Sequence, residues 1–283
     1  MRSAAPAGVE VREIRASSIL NKSGISDFAV NCYTGCIHGC RYCYARFMAK
    51  FRNEKVPWGR FVDVKVNAAE VLEKQAKRNF SGESVIISSV CDGWQHAEER
   101  YGLTRKCLQI LLPRNLRISI LTKSSLVERD FDLLDRWKEK VELGVTLTTL
   151  DEKAREIMEP GAAPVTERLE ILDRAAKRGI PIWVFFGPTL PGISDNEQGI
   201  EEIMASLAGL PLVRLYFDRL NARYGVWQSL KEALEENNPS LLPLYRKVLF
   251  DRDFGPKYEE YLKHSILRAA ARHEVAEKVF PCF

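Results

Sequence analysis

No stretch of the 283-residue sequence approaches the roughly 20 consecutive apolar residues that crossing a bilayer requires, so a membrane span is not expected. The first nine residues lack the long apolar core of a secretory leader, and cytoplasmic residence is the expectation. There is no low-complexity tract, no internal repeat and no large excess of one charge. The formal net charge is +4, from 42 Lys and Arg against 38 Asp and Glu. Because the two signs are interleaved, this balance tolerates an anionic partner without calling for one. A disulfide framework is also disfavoured. Seven cysteines leave at least one unpaired, and thiols or metal ligands are the better reading in such a chain. A hydrophobic fraction of 46% is ordinary for a globular protein, and the length suffices for one large α/β core.

What the sequence does contain is a regular alternation. Apolar runs lie at 84–90 (SVIISSV), 116–121 (LRISIL), 141–147 (VELGVTL), 180–186 (IPIWVFF) and 212–217 (LVRLYF), with a shorter one at 28–30. They are rich in β-branched and aromatic residues, as strands covered on both faces should be. Between them apolar residues recur at helical spacing, for example Ala68, Val71 and Leu72, or Leu169, Leu172 and Ala176. About six β-α units imply a parallel sheet with right-handed crossovers. Six fall short of the eight of a closed barrel, so an open or partial barrel is expected. After Asp218 the pattern turns helix-like around 227–234, 241–249 and 258–275. The expected organisation is an irregular N-terminal extension (1–27), an α/β barrel (28–225) and a helical C-terminal extension packed on it (226–283). The active site of such a fold lies at the C-terminal ends of the strands.

The segment 31–46 reads NCYTGCIHGCRYCYAR and spaces Cys36, Cys40 and Cys43 as C-x3-C-x2-C. Cysteine thiolates bind iron–sulfur clusters, and one short loop can wrap several ligands onto one cube. Three ligands for four irons leave one iron open to an amine and a carboxylate, such as methionine offers. The competing reading is a structural zinc site with His38 or Cys32 as fourth ligand. Such sites usually join ligand pairs from separate segments, and no distant C-x2-C pair is present.

This loop, with an aromatic residue before its last cysteine, resembles the signature of the radical S-adenosylmethionine (radical SAM) superfamily. The stretches SSVCDGWQHAE, LTKSSLVERDFDLL, GVTLTTLDEKAREIMEPGAAPVTERLEIL and FGPTLPGISD resemble successive blocks of its branch related to spore photoproduct lyase, over roughly 18–218. The resemblance implies a partial (β/α)6 barrel, a [4Fe-4S] cluster on Cys36, Cys40 and Cys43, and S-adenosyl-L-methionine as cofactor. It implies Tyr42 and Tyr44 against the adenosyl moiety, Ser89 and Asp92 near the methionine amino group, Lys123 at the carboxylate or ribose, and Thr146 near the ribose. The implied chemistry is reductive cleavage of the sulfonium to methionine and a 5′-deoxyadenosyl radical, which takes hydrogen from a substrate. An external one-electron reductant, flavodoxin- or ferredoxin-like, is the implied partner.

Cys91 follows the second main strand, where the branch has a thiol hydrogen donor nearby. It directly precedes Asp92, whereas the family's cysteine stands a few residues earlier in its block, so a small buried thiol is the competing reading. Cys32 and Cys107 read as packing residues, and Cys282 carries no signal; a second cluster on Cys32, Cys91 and Cys282 has no spacing to support it. His38 is expected to order the cysteine loop, His96 to reach toward substrate, and Glu159-Pro160-Gly161 to shape a turn. Asn221 and Arg223 either face the site or form a solvated rim. For function, a nucleic-acid lesion competes with a peptide or small metabolite as substrate. A zinc or redox-sensing protein without radical chemistry is the third class. The family's DNA-wedging C-terminal hairpin has no counterpart in the helix-like C-terminal sequence, whose charges alternate rather than forming a basic stripe.

Overall fold

The computed structural model describes residues 8–52 and 56–283, and each of the apolar runs becomes a strand. The strands are β1 (Glu10–Ile14), β2 (Leu20–Lys22), β3 (Phe28–Val30), β4 (Tyr33–Thr34), β5 (Phe61–Lys65), β6 (Glu83–Ile87), β7 (Leu116–Thr122), β8 (Val141–Leu147), β9 (Ile182–Phe186), β10 (Leu212–Phe217) and β11 (Val279–Pro281). The helices are α1 (Ala68–Gln75), α2 (Ala97–Tyr101), α3 (Leu103–Leu111), α4 (Phe131–Arg136), α5 (Glu152–Met158), α6 (Val165–Lys177), α7 (Glu197–Leu207), α8 (Val226–Asn237), α9 (Leu242–Phe250) and α10 (Phe254–Arg272). None among the described residues is long and apolar enough to cross a membrane.

Strands β3, β6, β7, β8, β9 and β10 pair in parallel in that order, the six expected units. Antiparallel β2 and parallel β11 flank them without pairing to each other, so the eight-stranded sheet stays open as a partial barrel. The outer face carries the core. Ile118 and Ile120 of β7, Leu143 and Val145 of β8, and Ile182 and Val184 of β9 are buried with Leu172 of α6 and Leu207 of α7. Leu172 has no solvent exposure, and truncating such a residue to Ala typically costs about 2–5 kcal/mol.

Three sequence expectations need correction. The main strands are not covered on both faces: Arg117 and Ser119 of β7, Trp183 and Phe185 of β9, and Arg214 and Tyr216 of β10 line a concave cavity of about 830 Å³. A partial barrel curves its inner face around open space, so that face tolerates polar side chains. The N-terminal extension is not irregular, since β1 pairs with β5 and β5 with β4 in a second, three-stranded sheet. The sequence hid β5 because Asp63 interrupts its apolar pattern; Arg12 Nε lies 3.0 Å from that carboxylate and neutralises it. Finally, the C-terminal segment is helical through α8, α9 and α10 but ends in β11. Buried Val279 turns toward the helices, while Phe280 packs on Tyr216 with ring centroids 5.9 Å apart.

Candidate active site

At the C-terminal edge of the sheet, β4 leads into the cysteine loop. Gly35 must be glycine: its φ is +85° and a Cβ there would meet the Phe61 carbonyl at 2.4 Å. Fully buried Gln95 staples the loop from one side, accepting from Ile37 N at 2.9 Å and donating to Gly35 O at 3.1 Å. The 158–161 turn holds it from the other, with Arg41 N donating to Met158 O at 2.8 Å and Gly161 N to His38 O at 3.0 Å. A Cβ on Gly161 would meet Ile37 O at 2.4 Å, so this close approach also requires glycine.

Beneath that turn lies a buried ionic cluster. Glu159 accepts from the Tyr42 hydroxyl and the Arg168 guanidinium, and from Thr148 Oγ1 at 2.9 Å. Arg168 also donates to Thr146 O at 3.0 Å and Ala163 O at 2.9 Å. Burial alone would raise the Glu159 pKa, but Arg168 and Lys123 with these hydrogen bonds bring it down to about 2. Glu159 and Arg168 are 0% and 1% exposed, so each charge depends on the other.

A cavity of about 210 Å³ opens above the loop. Its lining includes Cys36, Cys40 and Cys43, and with them Tyr42, Tyr44, Ser89, Cys91, Asp92, Lys123 and Thr146. Four segments separated by up to 110 positions in the chain thus meet around one space. The cysteines are free. Burial raises all three thiols, that of Cys40 to about 12, while Lys123 acts in the opposite direction on Cys40 and Cys43. A cluster would take these side chains as thiolates and displace their protons on binding. Among the described residues no three His, Cys, Asp or Glu side chains converge as a single metal ion requires. Ligands spread over the corners of a four-iron cube need no such convergence.

Individual positions differ in how free they are. The Tyr42 hydroxyl is engaged by Glu159, leaving its ring to face the cavity, with Lys123 Nζ 5.7 Å from the ring centroid. Exposed Tyr44 donates its hydroxyl to Ser89 O. Asp92 accepts from Trp94 N at 2.9 Å, Thr122 Oγ1 at 2.8 Å and Lys123 N at 2.8 Å, tying the ends of β6 and β7 together. Asn31 orders the same strand end, donating to Ser89 Oγ at 3.1 Å and accepting from Val90 N at 3.0 Å. Cys91 Sγ lies 3.8 Å from Asn31 Oδ1, and burial pushes its thiol up to about 12. His38 is buried, with Nδ1 3.5 Å from Asp92; burial lowers its pKa and favours the neutral ring.

Not everything expected at the site is there. His96 lines a separate outer cleft beside Glu99. Asn221 reaches the cavity, whereas Arg223 is exposed on the surface. Cys32 and Cys107 are buried with their sulfurs 3.4 Å apart, and Cys282 lines the concave barrel face. Sequence reasoning missed Gln95, Arg168 and Asn31. Nothing in the sequence marks Arg168, which reads as one of several charges on an amphipathic helix.

Comparison with known proteins places this site in context. The Radical SAM superfamily matches residues 30–207. An uncharacterized protein of Methanocaldococcus jannaschii is 31% identical over 234 residues, covering 82% of this chain and 85% of its own. One from Acidianus two-tailed virus is 31% identical over 255 residues, covering 85% and 81%. Among solved structures, spore photoproduct lyase complexed with dinucleoside spore photoproduct superposes with a TM-score of 0.72 at 15% identity, over 96% of this chain and 82% of that one. At that identity the likeness is one of fold.

Proposed function

The chain belongs to the radical SAM superfamily, and from that premise we propose that it is an S-adenosyl-L-methionine-cleaving enzyme whose cluster is held by Cys36, Cys40 and Cys43. The observation that carries the reading is the meeting of these cysteines with Tyr42, Tyr44, Ser89, Asp92, Lys123 and Thr146 around one cavity. When bound, cluster and cofactor supply one-electron cleavage of the sulfonium to methionine and a 5′-deoxyadenosyl radical.

In this reading the protein's own residues position and shield. The Tyr42 ring and Tyr44 flank the adenosyl group, and Thr146 borders the ribose. Ser89 and the strand end ordered by Asp92 would receive the methionine amino group, and the Lys123 ammonium would meet its carboxylate or the ribose. Cys91, a residue lining the same cavity, would give a hydrogen atom to a substrate radical and be left as a thiyl radical, a downhill step because an S–H bond is weaker than most C–H bonds.

For the substrate we propose a nucleic-acid lesion in lyase-like chemistry. The fold similarity supports this, as does the open concave face that carries Arg117 and, beside the Arg214–Glu142 ion pair, the rings of Trp183 and Tyr216. A peptide or small metabolite is the second reading. It is favoured by the segment after β10, which among the described residues is three helices and β11 rather than a hairpin.

The test is anaerobic. Reduced protein with S-adenosylmethionine is expected to release 5′-deoxyadenosine, and an ultraviolet-irradiated oligonucleotide to accelerate it. Lys123→Ala is expected to weaken cofactor binding by about 1.5–3 kcal/mol, the worth of a hydrogen bond to a charged group. Equal affinity in an equilibrium titration would remove Lys123 from the site.

A further inference from the structure

Gln95 has no solvent exposure, and its amide meets the peptide groups on both sides of Cys36. Nε2 donates to Gly35 O at 3.1 Å, and Oε1 accepts from Ile37 N at 2.9 Å. The Gly35 carbonyl lies in the peptide plane that enters Cys36, and the Ile37 N–H in the plane that leaves it. One side chain thus holds both planes. That fixes φ and ψ of Cys36, and with them the direction in which its thiol leaves the backbone.

Gln95 closes a turn, 92–95, whose four residues are each tied to a different neighbour. Asp92 accepts from Thr122 Oγ1 and Lys123 N at the end of β7, and lies 3.5 Å from His38 Nδ1 of the cysteine loop. The Gly93 carbonyl accepts from Thr104 Oγ1 of α3 at 2.8 Å, and a Cβ on Gly93 would meet Ser88 Oγ at 2.3 Å. Trp94, also without exposure, donates Nε1 to Asp130 at 2.9 Å. Asp130 is in turn buried between Arg105 and Arg129. A turn anchored at every residue holds its two ends in fixed relation. One end carries Lys123, and the other carries Cys36.

We propose that Gln95 is a positioning residue that couples the seat of Cys36 to the cofactor-binding end of β7 through the 92–95 turn. This rests on the radical SAM reading, which makes Cys36 a cluster ligand. Gln95 itself does not line the cavity, so it acts only through the backbone of Cys36. Groups that orient a metal ligand in this way typically govern affinity or activity by about 10–100-fold.

The experiment uses the full chain, both free of metal and reconstituted with iron and sulfide. Gln95→Met keeps the length of the side chain and removes both hydrogen bonds. Gln95→Asn keeps the amide on a stem one methylene shorter, and carries the comparison if the first variant does not fold. In the metal-free chain, hydrogen–deuterium exchange of peptides spanning 35–40 is expected to quicken about tenfold in Gln95→Met, with β8 and β9 unchanged. In the reconstituted protein, the change in the reduced cluster's electron paramagnetic resonance spectrum on adding S-adenosylmethionine reports cofactor binding. Gln95→Met is expected to need about tenfold more cofactor for that change, with Gln95→Asn between it and the parent. Parent-like cofactor titrations in both variants would overturn the proposal. So would exchange that quickens evenly along the whole chain, which would make Gln95 an ordinary core residue. A parent that takes up no iron removes the radical SAM reading and this coupling with it, whereas an iron-loaded parent with indifferent variants removes the coupling alone.

Discussion

Replacing Cys36, Cys40 or Cys43 by Ala is expected to abolish iron–sulfur uptake. Reconstituted parent protein should hold about four irons and four sulfides per chain, with broad visible absorbance. Each single variant should hold almost none. The reason would be geometric: in the proposed arrangement each of the three thiolates would hold one iron, and His38, buried beside Asp92, would not stand in for a lost one. Cys91 lines the same cavity and is therefore the control. Cys91→Ala should keep full iron content and 5′-deoxyadenosine release, while diverting the product once a substrate is known. Tight zinc binding with no iron uptake by the parent would refute the assignment.

The second large effect lies at Glu159. Glu159→Leu leaves the Arg168 guanidinium buried without its partner, and breaking such a pair costs about 3–5 kcal/mol. The folded-state pKa of Glu159, about 2, lies below its ordinary value of 4.5. Its stabilisation is therefore complete above the ordinary value and is lost as pH falls through the folded one. Urea midpoints of parent and variant should stand farthest apart near neutral pH and converge in acid; a gap that ignores pH would contradict this. Because Tyr42 hangs from the same carboxylate, iron uptake reports on position as well as stability. Glu159→Gln, which can still accept from Tyr42, should retain more iron than Glu159→Leu.

How far these features were legible in the sequence depended on the range of the interactions that make them. That Cys36, Cys40 and Cys43 line one cavity was legible because they share one short loop, so their spacing is itself the signal. The strands at 116–121 and 182–186 were legible as apolar runs, but not the openness of their inner face. LRISIL reads as a buried strand until curvature of the sheet leaves Arg117 and Ser119 facing open space. At β11, three residues are too few to show any period, and pairing with β10 alone makes them a strand.

By itself the sequence determined the alternating α/β plan, the six parallel units and the cysteine loop, because local periodicity and short spacing record the hydrophobic pattern and the cysteine grouping directly. Only the tertiary structure decided that Arg168 of α6 pairs with Glu159, that Gln95 staples the loop, and that Asn31 orders the strand end at Ser89 and Val90. These depend on packing between elements distant in the chain, where burial turns an ordinary surface charge into an obligatory partner and curvature selects which side chains face one another.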